Sequence, residues 1–518
     1  MPLPDKGAAW PPIDPAVRSD MEDWSAWYSA NPDRLAYRYL NRHRAGRQYG
    51  QQPLNRPSQY RGGLVGTMAR WFWGEPTPLG EKRANLHMPL ARDLARTSAD
   101  LLFSEPPKLI AEETATQDRL EDLMETGLRR TLHARGEASA ALGGAFLRIV
   151  WDRAISERPW ISHVRGDCAA PEFVHGKLSA VTYWTVLGVD GQTVIRHLER
   201  HEPDAILHGV YEGTDVSLGR PLDLGAFPET RGYAPAQALP IGGRLASAYI
   251  PNTLTAPDWH DLPGAAWLGT SDFQGSETFL SAIDETYTSW MRDVRLARSR
   301  ILVPSGYLQS QGPGRGVAWE DREVFAEMNI PPTSDHQITL NQFAIRHVEH
   351  RETIADLMSR VIHTAGYSGG TFGDDSGGTA VTATEIKARS ARSMSTRARK
   401  ADLEAVGIAE ITETLLIMEA SDLFPGLETV AVERPQVLFQ DSIQDDIKVL
   451  AESAALYRQA EAMSTETLVA LVNPDRDAEW QAEETRRIMR ETGRDVADPT
   501  AVGAEGPGTP GFEAPAGP

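Results

Sequence analysis

The apolar positions of this chain change period several times along its length. Near the start, Val17, Met21, Trp24 and Tyr28 recur at helical spacing, with Asp14 placed to cap and Pro15 in the first turn. A helix is predicted there, after an irregular proline-rich stretch over 1–12. Residues 42–78 are rich in Gly, Pro, Gln and Arg and read as loop. Leu86, Leu90, Leu94 and Leu101 then share one helical face, and Leu120, Leu123, Leu128 and Leu132 another. From Ala145 the period shortens. AFLRIVWD, WISHV, LSAVTYWTVL, TVIRHLER and AILHGVY are short β-branched and aromatic runs between Gly, Pro and charged residues, the signature of antiparallel strands. Residues 214–269 are again loop-rich.

The second half returns to helical spacing. Phe279, Ile283, Tyr287, Trp290, Val294 and Ala297 keep one period, and Ile354, Leu357, Met358, Val361 and Ile362 another. RILVPSGYL reads as strand and turn, and a small mixed unit continues to about His350. Residues 366–379 are Gly-rich and hold only Tyr367 and Phe372 as large side chains. A long helix is predicted from about Ala380 to Ala420, and another around Ile443, Ile447, Leu450, Ala454 and Tyr457. Asn473-Pro474 is expected to open a last helix with Asp475 and Asp477 in its first turn, ended by Gly493. Residues 494–518 are expected to be a disordered tail that folding does not need.

The chain has 518 residues, 41% of them hydrophobic, which suits two to four structural units. Cys168 is the one cysteine, so neither an intrachain disulfide nor a multi-cysteine zinc site can form. The N-terminal stretch lacks a basic segment followed by an apolar one, and no run approaches the ~20 apolar residues of a membrane span, so a soluble chain is expected. A net charge of −20 argues against tight nucleic-acid binding over the whole surface.

Short motifs contribute little. DDSGG (374–378) resembles a serine-protease nucleophile motif, but Asp374 replaces its Gly and a long helix follows. A flexible acidic loop fits this composition better. HGKLS (175–179) lacks the Gly and the Ser/Thr of a phosphate-binding loop. His197, Glu199 and His201 alternate on a strand, and His347, Glu349 and His350 cluster, without the spacing of a known metal site. Lys387, Arg389, Arg392, Arg397, Arg399 and Lys400 form a basic run in an acidic chain. It suits a solvated or intersubunit helix face, or loose contact with DNA phosphates. No enzymatic activity, cofactor or metal is expected.

Several segments, taken in order, resemble one family. NLHMPLARDLARTSADLLFSEPP (85–107), FLRIVWD (146–152), PEFVHGKLSAVTYW (171–184), LERHEPDAILHGVYEGT (198–214), TAVTATEIKARSARSMSTRARK (379–400), FQDSIQDD (439–446) and MSTETLVALVNPD (463–475) are similar to stretches of the portal proteins of long-tailed double-stranded DNA bacteriophages. The resemblance is collinear over roughly residues 20–490 and lies in many weak matches in one order. It implies a mainly helical α+β subunit: wing 1–270, stem helix 271–300, clip 301–350, stem helix 351–365, tunnel loop 366–379, long helix and return to the wing 380–440, and crown 441–493.

The implied function is a ring, usually of twelve subunits, at one capsid vertex, assembled in the host cytoplasm and retained in the virion. Its partners would be the terminase large subunit, the head–tail adaptor, the major capsid and scaffolding proteins, and double-stranded DNA bound without sequence specificity. No membrane is involved. Gly369, Gly370, Thr371, Phe372, Asp374, Asp375 and Ser376 are the expected channel-loop residues, and the basic run supplies phosphate or intersubunit contacts. The apolar stripes of helices 277–300 and 352–365 are expected to pack between subunits. Two alternatives stay open: a hydrolase using DDSGG, and a non-portal structural protein of a capsid or gene-transfer particle.

Overall fold

The computed structural model describes residues 3–45, 86–254, 256–297, 300–304, 325–328, 339–341, 345–372, 383–425, 427, 430–439, 447–460, 462–473, 476 and 478–492. They divide into two compact units, 1–440 and 441–518.

In the first unit, α1 (Pro15–Ser29) begins where Asp14 Oδ1 accepts from the Ala16 N–H at 2.8 Å. Its stripe buries Val17, Met21 and Trp24. The stretch before α1 is more ordered than its prolines suggest. Gly7 N donates to Gly219 O at 2.8 Å and Trp10 N to Val216 O at 3.0 Å, so this segment lies along a strand edge. Its backbone groups find partners there that composition does not reveal. After α2 (Pro32–Ala45), α3 (Leu90–Phe103) buries Leu90, Leu94 and Leu102, whereas Leu86 precedes the helix and is exposed. A short strand β1 (Lys108–Ile110), helix α4 (Thr114–Leu123), one π-helical turn (Met124–Leu128) and α5 (Arg129–Leu142) complete the N-terminal helical layer.

The strand runs fold as their period requires. β2 (Gly144–Val150) and β3 (Trp160–Arg165) pair antiparallel. β4 (Ala169–Val174), β5 (Lys177–Asp190), β6 (Thr193–Glu202), β7 (Ala205–Thr214) and β8 (Ser217–Leu222) form a consecutive antiparallel meander, with β9 (Ala236–Ala238) also on β7. β10 (Ser247–Pro251) adds to β2, so the small sheet has the order β10-β2-β3. β2 is covered on both faces. Phe146 meets Tyr183 and Tyr249 at ring-centroid distances of 5.5 and 4.9 Å, while Leu147 and Ile149 join the core under the long helix.

Helix α6 (Glu277–Leu296) leads to a small sheet of order β12-β11-β13, from β11 (Arg300–Pro304), β12 (Phe325–Met328) and β13 (Thr339–Asn341). The chain returns along α7 (His347–Thr364). The end of α6 meets the start of α7: His350 Nε2 is 3.0 Å from Asp293 Oδ2, and its ring stacks at 6.1 Å on Trp290. The apolar stripes of this pair divide. Leu280, Ile283, Val361 and Ile362 are buried in the chain's own core with Leu94 and Trp259, not left for a neighbour. Val294, toward the far end, stays exposed.

Helix α8 (Ala383–Glu419) buries Ile408, Ile411, Leu415 and Met418 against the small sheet. Gly407 permits this approach, since a Cβ there would lie 2.4 Å from Ile250 Cγ1. β14 (Gln436–Leu438) pairs with β1 and closes the unit.

The second unit holds α9 (Ile447–Gln459), α10 (Thr465–Val472) and α11 (Ala478–Glu491). Asn473 ends α10, its N–H donating to Val469 O at 3.0 Å, and α11 starts only at Ala478. Asn473 thus stops one helix rather than opening the next, and Pro474, Asp475 and Asp477, expected in the first turn of the last helix, lie outside the described residues. The tail expected over 494–518 lies outside the described residues. The fold is α+β. Among the described residues, no helix is long and apolar enough to cross a membrane.

Candidate functional site: the root of the glycine-rich loop

The turn after α7 fixes where the Gly-rich segment leaves the core. Gly366 has φ +86°, a backbone state that glycine adopts without strain. Its carbonyl accepts from Thr396 Oγ1 at 2.7 Å, and a Cβ at Gly366 would lie 2.9 Å from the same oxygen. Tyr367 then points into the core and is almost fully buried. Its hydroxyl donates to Asp272 Oδ2 at 2.8 Å. Lys400 Nζ lies 2.7 Å from each Asp272 oxygen, 2.7 Å from Ser98 Oγ and 3.1 Å from the Tyr367 hydroxyl. Burial lowers the Lys400 ammonium from its ordinary value, with Asp272 opposing the shift. Burial, and then the Asp272 carboxylate, push the Tyr367 hydroxyl well above its ordinary value. The hydroxyl therefore stays protonated and donates.

A second contact lies one turn away on α8. Ser393 Oγ accepts from Ser368 N at 3.0 Å and lies 2.9 Å from Ser368 Oγ and 2.7 Å from Thr371 Oγ1. Gly369–Phe372 forms a 3-10 turn, and Phe372 packs edge-on to Tyr367 at 6.1 Å. Tyr367 and Phe372, expected to project with the loop, instead hold its first residues against the core. Two aromatic rings give this stretch the apolar area that its glycine content obscured. Asp374, Asp375 and Ser376 lie outside the described residues.

The basic run on α8 separates into two faces. Arg397 is buried, with Nε donating to Leu101 O at 2.6 Å, and Lys400 is buried on Asp272. These two are core-facing, so the expected contact with phosphates or neighbours does not extend to them. Positions 397, 400 and 404 fall on one side of a helix, and this side faces inward. Arg392 and Arg399 are exposed; Arg392 Nη2 donates to His363 O at 2.8 Å. Lys387 and Arg389 lie on the first turns of α8, where side chains are outside the described residues.

Asp272, Arg135 and Glu404 were not singled out in the sequence. Glu404 pairs with Arg135, and Glu419 with Arg119 at 2.6 Å, all buried. The available signal was charge inside an apolar stripe: Lys400 and Glu404 precede Ile408, Ile411 and Leu415 at core spacing. A charge in such a position needs an opposite partner.

No protein-family model matches this chain, and no curated protein matches it. Among solved structures, a chain in the virion of a native gene transfer agent particle is similar at 13% identity and a TM-score of 0.40, over 79% of this chain and 99% of that one. A chain in the neck of a native gene transfer agent particle, computed with C12 symmetry, is similar at 12% identity and a TM-score of 0.38, over 78% of this chain and 92% of that one. Similarities of this size assign this chain no role.

The strand histidines form a separate buried group. His197 Nε2 lies 3.1 Å from His208 Nδ1, and the two rings stack with Tyr233 at 5.4 and 4.4 Å. His201 Nε2 is 2.7 Å from Glu199 Oε1, and Arg148 Nη1 is 2.5 Å from Glu199 Oε2. Burial raises the Glu199 carboxyl, but His201 and Arg148 outweigh it and bring the group down to about 2. Both Glu199 oxygens are thus occupied, one by His201 and one by Arg148. Among the described residues, no group of three or more His, Cys, Asp and Glu is arranged to hold a metal.

Proposed function

We propose that this chain is the portal subunit of a tailed double-stranded DNA bacteriophage or a related particle, a non-enzymatic ring component that conducts DNA at one capsid vertex. The observation that carries this reading is the excursion from α6 through the β12-β11-β13 sheet to α7, followed by the Gly-rich segment and the 37-residue helix α8. This order parallels the stem, clip, stem, tunnel loop and long helix implied by the collinear sequence resemblance. The anchored root at Gly366–Phe372 supports the same reading. It gives residues 373–382 a firm base on α8 from which a loop can meet passing DNA. The chain's acidity suits a conduit, because tight phosphate contacts would retard the cargo.

In this reading a ring, of twelve copies in the resembled family, meets the terminase large subunit, the head–tail adaptor and the capsid and scaffolding proteins. Wing, crown and the other boundaries are those given by the resemblance. Negative-stain microscopy and native mass measurement of purified protein test it. The expected outcome is a ring with a central channel. A monomer at every concentration counts against it, and esterase or protease activity lost in Ser376→Ala would favour the hydrolase reading instead.

A further inference from the structure

A cleft of about 340 Å³ lies between the N-terminal segment, α1 and the β5–β6 hairpin, away from the root of the glycine-rich loop. Trp10 is carried there by the pairing of its segment with β8, and it meets Trp184 edge-on at 5.2 Å. Beneath Trp10 sits the Arg196 guanidinium, 6.0 Å from the ring centroid. Arg196 is only 4% exposed. Its Nη2 donates to Thr214 O at 2.8 Å, and its Nη1 has no hydrogen-bond partner. Among the described residues its carboxylate partner is Asp215, 3.7 Å away with a side chain 85% exposed. An exposed, loosely placed acid compensates a desolvated cation poorly. Burial accordingly lowers the Arg196 guanidinium from its ordinary value, Asp215 opposes the shift, and nearby Arg18 adds to it.

The other acids of the cleft are engaged. Arg18 holds Glu22 at 2.8 Å and Arg38 holds it at 2.6 Å, while Arg165 holds Asp167 at 2.6 Å. The cleft therefore pairs apolar walls with an undercompensated guanidinium. We propose that it receives an acidic segment of a partner protein, with a carboxylate side chain on Arg196 and an adjacent aromatic side chain against Trp184 and Val186. A buried cation with a free N–H favours an oxyanion strongly. Duplex DNA is disfavoured, since a duplex is too wide to enter a cleft of about 340 Å³ and bring a phosphate onto a guanidinium that is only 4% exposed. A monoanionic carboxylate on an apolar stem suits both the walls and the unpartnered Arg196 N–H.

The test uses the full chain and a peptide carrying fluorescein on its N-terminal amine, fluoresceinyl-Gly-Phe-Glu-Ala-amide, read by fluorescence anisotropy to millimolar concentration. The control is the same peptide with Gln in place of Glu. The Glu peptide is expected to bind about tenfold tighter or more, and Arg196→Gln to remove that preference. Val189, on the rim and 66% exposed, supplies a variant that leaves the core untouched. Val189→Glu should weaken the Glu peptide several-fold with an unchanged circular dichroism spectrum. Equal binding of the two peptides by wild-type protein overturns the proposal. So does a preference that persists in both variants, or displacement of the peptide by inorganic phosphate at a lower concentration than by unlabelled peptide.

Discussion

Lys400 and Asp272, separated by 128 residues of chain, form an ion pair in which the ammonium lies 2.7 Å from both carboxylate oxygens and neither side chain is more than 8% exposed. The pair joins α8 to the segment before α6, and Tyr367 adds the start of the Gly-rich loop. Removing one partner leaves a buried, uncompensated charge. Lys400→Met or Asp272→Asn alone should therefore destabilise the chain by about 3–5 kcal/mol. The double variant Lys400→Met/Asp272→Asn should lose much less than the sum of the two, because no charge is left unpaired. Urea denaturation of the three variants measures this; a double variant as damaged as the sum of the singles would contradict it.

A glycine makes the same root possible. Gly366→Ala places a Cβ in a φ +86° residue and 2.9 Å from Thr396 Oγ1, which is itself held by the Gly366 carbonyl. The expected cost is about 1–2 kcal/mol in thermal or urea unfolding. Gly232→Ala, where φ is not left-handed and nothing lies within 4 Å of the new Cβ, is the matched control and should change stability little.

Acid should destabilise the β4–β8 meander through the stacked histidines on β6 and β7. Burial lowers His208 from 6.5 to about 4, with Glu199 opposing and His197, His201 and Arg148 reinforcing the shift. His197 is lowered too, by burial first. Above 6.5 both folded and unfolded states are neutral at these rings, so they contribute no pH dependence. Below it the unfolded chain takes up protons first, and stability falls until the folded His208 ring titrates near pH 4. The loss should be on the order of 3 kcal/mol for His208. Urea denaturation from pH 7 to pH 4 measures it. His208→Phe should flatten the curve over that window, and an unchanged slope would show that other groups govern it.

What could be read from the sequence depended on whether contacts were local. The strands from Ala145 to Thr214 followed from alternation and turn residues, because a meander pairs neighbours. Helix α8 followed from its long period. The pairing of residues 7–10 with β8 did not, since it joins a proline-rich segment to a strand some 200 residues later through backbone groups alone. The root of the Gly-rich loop was hidden for a similar reason. Tyr367 looks like an isolated ring among glycines until Asp272 and Lys400 are brought to it from two other segments. The six basic residues looked like one stripe because a linear run does not reveal that Arg397 and Lys400 point inward.

Asp374 and Asp375 fall in the sequence between Phe372 and the start of α8. In the proposed channel these acids keep DNA phosphates from settling, while the exposed Arg392 and Arg399 attract them weakly. Arg397 and Lys400 take no part, being committed to Leu101 and Asp272. Replacing Asp374 and Asp375 with Lys reverses the charge next to the cargo without touching Tyr367, Ser368 or their partners on α8. Rings should still assemble and should hold DNA more tightly at low salt. Each new phosphate contact adds about 0.9 to the slope of log affinity against log salt, so up to two new contacts per engaged subunit steepen it measurably. The comparison is between assembled wild-type and double-variant rings over a salt series. Identical slopes would place the loop away from DNA. Failure of the variant to form rings would place it in a subunit contact, where two added cations meet like charge or lose an acidic partner.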